Sequence, residues 1–170
     1  QIRSSAASDV YKRQVYFDRT KTTYINGKEG VLEYRGYNIH DLSEKSSFEE
    51  VSYLLLYGKL PTKNELDAFS SSLKESREIP SQVIDIIRSI KDSHPMDVLR
   101  TAVSALSAFD EETSDKGYDA TLRKGIRLTS QVPTIVMAHN SIRNGKDPIE
   151  PSKELSLIHI SSPRDTNPSR

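Results

Sequence analysis

Histidine is the side chain in this sequence best suited to acid–base chemistry near neutral pH. The chain has four histidines, which are His40, His94, His139 and His159. They are widely separated, and none pairs with a carboxylate at a helical spacing that demands a metal ion. There is no cysteine, so thiolate metal sites and cysteine nucleophiles are excluded, and no glycine-rich phosphate loop is present. The residues alone therefore predict no metal site, no cofactor-binding residue and no catalytic residue.

His94 is the most noticeable of these histidines because it stands between Ser93 and Pro95, ahead of a small and apolar run. Catalysis requires a nucleophile or an orienting acid within hydrogen-bonding distance. Ser93 instead suits the N-cap of a helix, Pro95 suits its first turn, and Asp97 suits the positive end of its dipole. We therefore interpret His94 as a hydrogen-bonded packing residue at the start of a helix, with a catalytic role as the alternative.

The overall composition disfavours two classes of partner. The 170 residues carry 24 basic and 24 acidic side chains, so the chain lacks the broad positive field that nucleic acid or an anionic membrane requires. No apolar run approaches the roughly 20 residues of a membrane-spanning helix, and the N-terminus lacks the apolar core of a secretory signal. The sequence predicts a cytoplasmic protein.

The two ends of the chain differ from its middle. Residues 1–14 and 157–170 show neither helical nor strand periodicity. Each resembles the peptide obtained when a sequencing-library adapter is translated in frame, through SAASDVYKRQ and LSLIHIS. We predict non-native tails at both ends, with natural termini as the alternative. His159 is then expected to carry no chemistry.

The middle of the chain predicts a mainly α fold that begins with a β-hairpin. Two β-favouring runs at 22–25 and 31–34 flank a glycine-containing turn. Asn38 is a suitable N-cap for a brief helical turn, on which His40 is expected to be exposed.

Two capping boxes mark the starts of the next helices. Ser46 with Glu49 predicts one, and that helix is expected to end at Gly58. Thr62 with Glu65 predicts the other.

A third helix is expected to start at Pro80, and a fourth near His94 that is buried on most sides. The residues predicted to face inward are Leu66, Phe69, Leu73, Val83, Ile84, Ile87 and Ile90, then Met96, Leu99, Val103 and Leu106, with Ala102, Ala105 and Ala108 forming a flat second face.

The last long element, at about 120–144, contains Pro133 near its middle. An interior proline costs about 3 kcal/mol and frees the carbonyl four residues earlier, which is that of Thr129. Either two helices meet there or one helix bends. We favour one kinked helix because apolar residues continue on both sides. His139 is expected to face solvent or a partner.

Three stretches together resemble a known family. They are TYINGKEGVLEYRGYNIHDLSEKSSFEEVSYLLLYGKLPT, DSHPMDVLRTAVSALSAFD and LTSQVPTIVMAHNSIRNG. Residues 15–156 are similar to the N-terminal part of citrate synthase, in the shorter form found in many bacteria and archaea. The same pattern occurs in 2-methylcitrate synthases, so the resemblance leaves open whether the acyl donor is acetyl-CoA or propionyl-CoA.

This resemblance implies an incomplete large domain of a nearly all-α homodimer that condenses oxaloacetate with acetyl-CoA, giving citrate and CoA. In the family an aspartate deprotonates the thioester methyl group and two histidines assist, without a metal or redox cofactor. Those residues lie beyond the point where this sequence enters its tail, so none is carried over. His40, His94 and His139 do not match them. The helices at 94–109 and 120–144 match two that pack across the family's dimer interface.

Two functional hypotheses follow from different protein classes. The chain is either an incomplete acyltransferase that is inactive alone or a self-contained helical dimerisation module. A longer reading frame that continues into histidine-containing segments of the family, rather than a stop codon, would separate them.

Overall fold

The computed structural model describes residues 20–148, 150 and 151. The predicted tails at 1–14 and 157–170, with His159, lie outside these residues. The described part is mainly α-helical, as predicted. Its strands are β1 (Thr23–Asn26), β2 (Val31–Tyr34) and β3 (Tyr37–Asn38). Its helices are α1 (Ile39–Lys45), α2 (Phe48–Tyr57), α3 (Lys63–Glu75), α4 (Ser81–Ser89), α5 (Pro95–Leu106) and α6 (Tyr118–Arg143), with a 3-10 turn at Ser107–Phe109.

The predicted hairpin is confirmed, and a third short strand extends it. The three strands are antiparallel in the order β1-β2-β3. Arg35 and Gly36 form the turn between β2 and β3 with φ angles of 53° and 87°. Positive φ at both central positions is the conformation of a type I′ turn, one of the common two-residue hairpin turns.

The N-terminus of α2 lies one residue later than predicted. Ser47, not Ser46, is the N-cap: its side chain accepts a bond from the Glu50 backbone N–H (3.2 Å), and the Glu50 carboxylate accepts one from the Ser47 N–H (2.6 Å). Ser46 instead ends α1, and its backbone N–H donates to the Leu42 carbonyl at 3.0 Å. The two capping boxes overlap in the sequence, and the end of α1 decides between them.

The other predicted caps in this region are confirmed. Asn38 accepts a bond from the His40 backbone N–H at 2.9 Å. Thr62 and Glu65 form a capping box. Gly58 ends α2 in the left-handed conformation, with φ of 80°, which glycine adopts without steric cost.

The buried face of α5 agrees with most of the predicted one. The residues that are buried or packed against the core as predicted are Leu99, Ala102, Val103, Ala105 and Leu106. The expectation was wrong for Met96, which is 62% exposed, and for Ala108, which is exposed, while Val98 is buried without having been predicted. The expectation that α5 is buried on most sides was also wrong, because six of its twelve residues are exposed.

The helix α6 is continuous through Pro133, as predicted, and it joins two apolar clusters. The aliphatic cluster combines α4, α5 and the C-terminal half of α6, and consists of Val83, Ile87, Val98, Ala102, Leu106, Ile135, Ala138 and Ile142. The aromatic cluster combines α2, α3 and the N-terminal half of α6, and consists of Tyr53, Phe69, Leu73 and Ile126, with Leu56 packed against it. Pro133 lies between the two clusters.

Gly125 marks a close approach of α6 to α2. A Cβ atom at this position would lie 3.4 Å from Cδ2 of Leu56. A Cβ at position 125 would therefore be in van der Waals contact with the residue that packs on the aromatic cluster.

Candidate functional site

The described histidines do not converge on a common site. His40 is exposed on α1, as predicted. His94 is exposed and is itself the N-cap of α5, since its Nδ1 accepts a bond from the Met96 N–H at 3.2 Å. The predicted structural role of His94, a hydrogen bond at the start of this helix, is confirmed. The prediction that Ser93 is the cap and that His94 is a packing residue was wrong, because the exposed imidazole ring itself reaches the N–H of Met96.

His139 is buried, with 7% of its surface exposed. Its Nε2 lies 3.0 Å from the carbonyl oxygen of Lys91 and ties α6 to the segment between α4 and α5. The expectation that His139 faces solvent or a partner was therefore wrong: the apolar period of α6 continues past Pro133 and turns this residue inward. Among the described residues, no group of three or more histidine, aspartate or glutamate side chains is arranged to hold a metal ion.

A dense group of charges lies where the segment before α6 meets that helix. This ionic cluster consists of Asp110, Glu112, Arg123, Lys124 and Arg127. Nη2 of Arg127 donates to both carboxylate oxygens of Asp110 at 2.8 and 2.9 Å, and its Nη1 donates to Glu112 at 2.8 Å. Arg123 pairs with the other oxygen of Glu112. Glu112 thus bridges two arginines one helical turn apart.

The arginines set the protonation of these carboxylates. Hydrogen bonds from Arg123 and then Arg127 lower the pKa of Glu112 to about 2. The hydrogen bond from Arg127 likewise lowers the pKa of Asp110. Burial acts to lower the pKa of the Arg127 guanidinium, but its bonds to Asp110 and Glu112 outweigh burial and raise it. Both carboxylates are therefore ionised and engaged at neutral pH, which suits them to holding structure and not to acting as general bases.

A cleft of about 500 Å³ adjoins the ionic cluster. Its apolar wall includes Val103, Leu106, Phe109 and Leu128. Its cations are already engaged: Arg127 holds two carboxylates, and Nζ of Lys124 donates to the backbone carbonyls of Glu112 and Asp115. An anionic ligand would therefore have to compete with these bonds for Arg127 and Lys124.

The ionic cluster was not predicted from the sequence, although the sequence contains a signal for it. Acidic residues at 110–112 are followed by basic residues at 123, 124 and 127. The i and i+4 positions place Arg123 and Arg127 on one face of α6. Only the fold shows that the preceding acidic segment turns back over that face.

Two partly or fully buried arginines were also missed. Arg77 is 1% exposed, and burial lowers its pKa while the charge of Glu49 acts to raise it. Arg35 donates to the Leu55 carbonyl at 3.1 Å near the C-terminus of α2, where a cation complements the helix dipole. Both arginines lie at junctions between elements.

The family of the chain is decided by a match over most of its length. The family model described as "citrate synthase, C-terminal domain" matches residues 11–160. The chain belongs to the citrate synthase family. The match includes residues 11–14 and 157–160 of the predicted tails, so the boundaries of the tails stay predictions. The placement of the chain in the N-terminal part of the family's sequence also stays a prediction.

Curated relatives in the family support the assignment. A citrate synthase of Deinococcus radiodurans is 43% identical over 143 residues, which is 84% of this chain and 38% of that protein. 2-Methylcitrate synthase 1 of Corynebacterium glutamicum is 38% identical over 144 residues, with 84% of this chain and 38% of that protein covered. The chain thus spans 38% of the length of these relatives.

Solved citrate synthase structures share its fold. The enzyme of Pyrobaculum aerophilum superimposes with a TM-score of 0.81 at 33% identity, covering 89% of this chain and 41% of the other. The enzyme of Thermoplasma acidophilum, solved as a ternary complex with carboxymethyl coenzyme A and oxaloacetate, gives a TM-score of 0.69 at 26% identity, covering 85% and 39%. Along the described residues, no helix is both long and apolar enough to cross a membrane.

Proposed function

We propose that this chain is part of an acyltransferase subunit that condenses oxaloacetate with acetyl-CoA. In this reaction the methyl carbon of the thioester loses a proton and bonds to the carbonyl carbon of oxaloacetate, and water then cleaves the thioester to give citrate and CoA. The observation that carries the proposal is the shared fold with the Thermoplasma acidophilum enzyme bound to oxaloacetate and a CoA analogue.

Within that reaction we assign a positioning role to the described residues. The three described histidines lie on separate elements; His94 caps a helix and His139 bonds to a backbone carbonyl. The carboxylates of the ionic cluster are held by arginines. We propose that the groups that move protons belong to other parts of the enzyme, that acetyl-CoA enters as substrate and that no further cofactor is needed. The cytoplasm stays the predicted compartment.

The proposal includes a homodimer formed through the helices at 94–109 and 120–144. Four large apolar side chains within these two ranges are exposed in the single chain, namely Met96, Phe109, Leu128 and Val136. Exposed apolar side chains of this kind favour association when they form a continuous patch. A second copy of the subunit is the partner we propose for them.

Two alternatives have observations in their favour. The identity of 38% to a 2-methylcitrate synthase favours propionyl-CoA as acyl donor. The engaged histidines and the exposed helix faces favour a non-catalytic dimerisation module.

A chimera tests these possibilities. The part of the Deinococcus radiodurans citrate synthase that aligns with residues 20–148 of this chain is replaced by those residues, and CoA release is measured with and without oxaloacetate. A folded dimer that releases CoA from acetyl-CoA only when oxaloacetate is present supports the proposal. A folded dimer without turnover contradicts it and favours the dimerisation module. A shift in the ratio of propionyl-CoA to acetyl-CoA turnover, relative to the parent enzyme, favours the 2-methylcitrate synthase alternative.

A further inference from the structure

The segment 110–117, between the 3-10 turn and α6, contributes no side chain to the apolar core. Asp110 and Glu112 are half-buried and its other residues are exposed. Neither apolar cluster includes any of its residues. The segment is therefore not anchored by buried apolar side chains.

Polar contacts to α6 anchor it instead. Arg127 bonds to Asp110 and Glu112, Arg123 bonds to Glu112, and Lys124 bonds to the carbonyls of Glu112 and Asp115. Glu112 takes part in most of these links. The side chains in the ion pairs are between 25% and 53% exposed, so salt can screen them.

The same segment forms one wall of the cleft. Asp110, Glu111, Glu112 and Thr113 line it, opposite apolar residues of α5 and α6 that include Val103 and Leu128. Displacement of the segment would open the cleft and expose that apolar wall. The apolar clusters beneath would stay intact, because added salt does not weaken apolar burial.

We propose that residues 110–117 are an ionic latch over this cleft, held closed by Glu112 and opening as a unit when its arginine pairs are weakened. The latch is a conformational device of the fold and is independent of the proposed catalytic function. Glu111 provides a matched control, since it lines the same wall and carries the same charge but takes no part in the arginine and lysine bonds that hold Glu112.

The test uses the absence of cysteine in the chain. The substitution Val103→Cys places one thiol in the cleft wall, and its rate of labelling by a thiol reagent reports access to the cleft. Ser71→Cys, on an exposed part of α3 outside both the cleft lining and the helices proposed for the dimer, provides a reference thiol. Labelling is measured in the full chain alone and combined with Glu112→Gln or with Glu111→Gln.

The latch predicts labelling of the thiol at position 103 about threefold faster with Glu112→Gln, the scale expected for loss of a partly exposed ion pair. Glu111→Gln removes the same charge from the cleft and should leave the rate near that of the parent. Raising NaCl from about 0.02 to 0.5 M should accelerate labelling in the parent, because salt screens the attraction between Glu112 and its arginines. The same change should have less effect with Glu112→Gln, which lacks that attraction.

Hydrogen exchange supplies a second measurement that does not depend on the introduced thiol. The backbone N–H groups of Glu112, Thr113, Asp115 and Gly117 are bonded within the segment. They should exchange faster together with Glu112→Gln, while amides around Ile135 stay protected. Equal labelling and exchange for the two glutamine variants, or rates in the parent that salt does not change, would overturn the proposal.

Discussion

The two halves of α6 are held to the protein by different forces. The C-terminal half inserts Ile135, Ala138 and Ile142 into the aliphatic cluster. The N-terminal half contributes Ile126 to the aromatic cluster and uses Arg123 and Arg127 to hold the segment before it. Apolar burial responds weakly to salt and pH, whereas partly exposed ion pairs respond to both. One helix thus combines apolar contacts that are insensitive to salt and pH with ion pairs that are sensitive to both.

Pro133 lies at the change between the two halves. Its missing N–H leaves the Thr129 carbonyl without the usual helical donor. Two side chains contribute bonds nearby: the Thr129 hydroxyl donates to the Gly125 carbonyl at 2.8 Å, and the Thr134 hydroxyl donates to the Ser130 carbonyl at 3.4 Å. Packing on both sides keeps the helix continuous where local preference would break it.

The largest expected effect is in the C-terminal half. Ile135→Ala removes a side chain that is 1% exposed and should lower the free energy of unfolding by about 3 kcal/mol, through lost transfer free energy and a cavity. Chemical denaturation followed by circular dichroism measures this. Ile25→Ala, on β1 and 70% exposed, removes the same atoms outside the helices proposed for the dimer and should cost less than about 1 kcal/mol. Similar losses for both variants would show that the aliphatic cluster is not formed as described.

A smaller loss is expected in the aromatic cluster. The ring of Phe69 meets those of Tyr53 and Tyr57 edge-on, with centroids 5.4 and 6.1 Å apart. Phe69→Leu keeps an apolar side chain but removes these contacts, which should cost about 1.5 kcal/mol. Because the chain lacks tryptophan, its fluorescence comes from eight tyrosines, and a change on Phe69→Leu reports those in contact with Phe69, which are Tyr53 and Tyr57. Chemical denaturation measures the stability. An unchanged spectrum and an unchanged stability would show that Phe69 does not make these ring contacts.

The cap of α2 gives a still smaller and purely local effect. Ser47→Ala removes the side-chain oxygen that accepts from the Glu50 N–H and should cost about 1 kcal/mol. Ser46→Ala, at the adjacent position, leaves the capping box intact. Thermal or chemical unfolding of the two variants distinguishes the caps. A larger loss with Ser46→Ala would return the cap to the position first predicted from the sequence.

The contribution of the ion pairs on the N-terminal half of α6 to stability should depend on pH. The folded pKa of Glu112 is lowered from 4.5 to about 2 by Arg123 and Arg127. This carboxylate therefore contributes stability above its unfolded pKa, and the contribution is lost as the pH falls from about 4.5 through about 2. The stability of Glu112→Gln should consequently fall less over that range than that of the parent. Unfolding curves at several pH values provide the measurement, with Glu111→Gln expected to follow the parent. Parallel profiles for parent and Glu112→Gln would contradict the lowered pKa.

The sequence predicts local features of this protein better than contacts between elements. Thr62, Asn38 and Gly58 act within a few residues of themselves, and their caps were predicted correctly. Ser46 and Ser47 are both suitable N-caps for α2, and the end of α1 at Ser46 determines which of them is used. Periodicity alone cannot place the start of a helix to within one residue.

Contacts between distant elements account for most of the predictions that were wrong, and the cap of α5, where His94 replaces Ser93, is a local exception. His139 is buried where its ring meets the carbonyl of Lys91, and the exposure of Met96 depends on which side of α5 meets the core. The ionic cluster joins residues 11 to 17 positions apart, beyond the reach of helical spacing. The family resemblance, carried by three long stretches in order, predicted the fold without needing any of these contacts.

The central claim is that the chain contributes positioning structure to a citrate synthase-type enzyme while the reacting groups lie elsewhere. The most direct test incubates the purified chain, at high concentration, with acetyl-CoA and oxaloacetate and measures free CoA with a thiol reagent, for which the cysteine-free protein gives no background. General acid–base groups contribute factors of about 10² to 10⁴ each, so without them the signal should match the control lacking oxaloacetate. Saturable release of CoA above that control, abolished by His94→Ala, would contradict both the structural role of His94 and the claim itself.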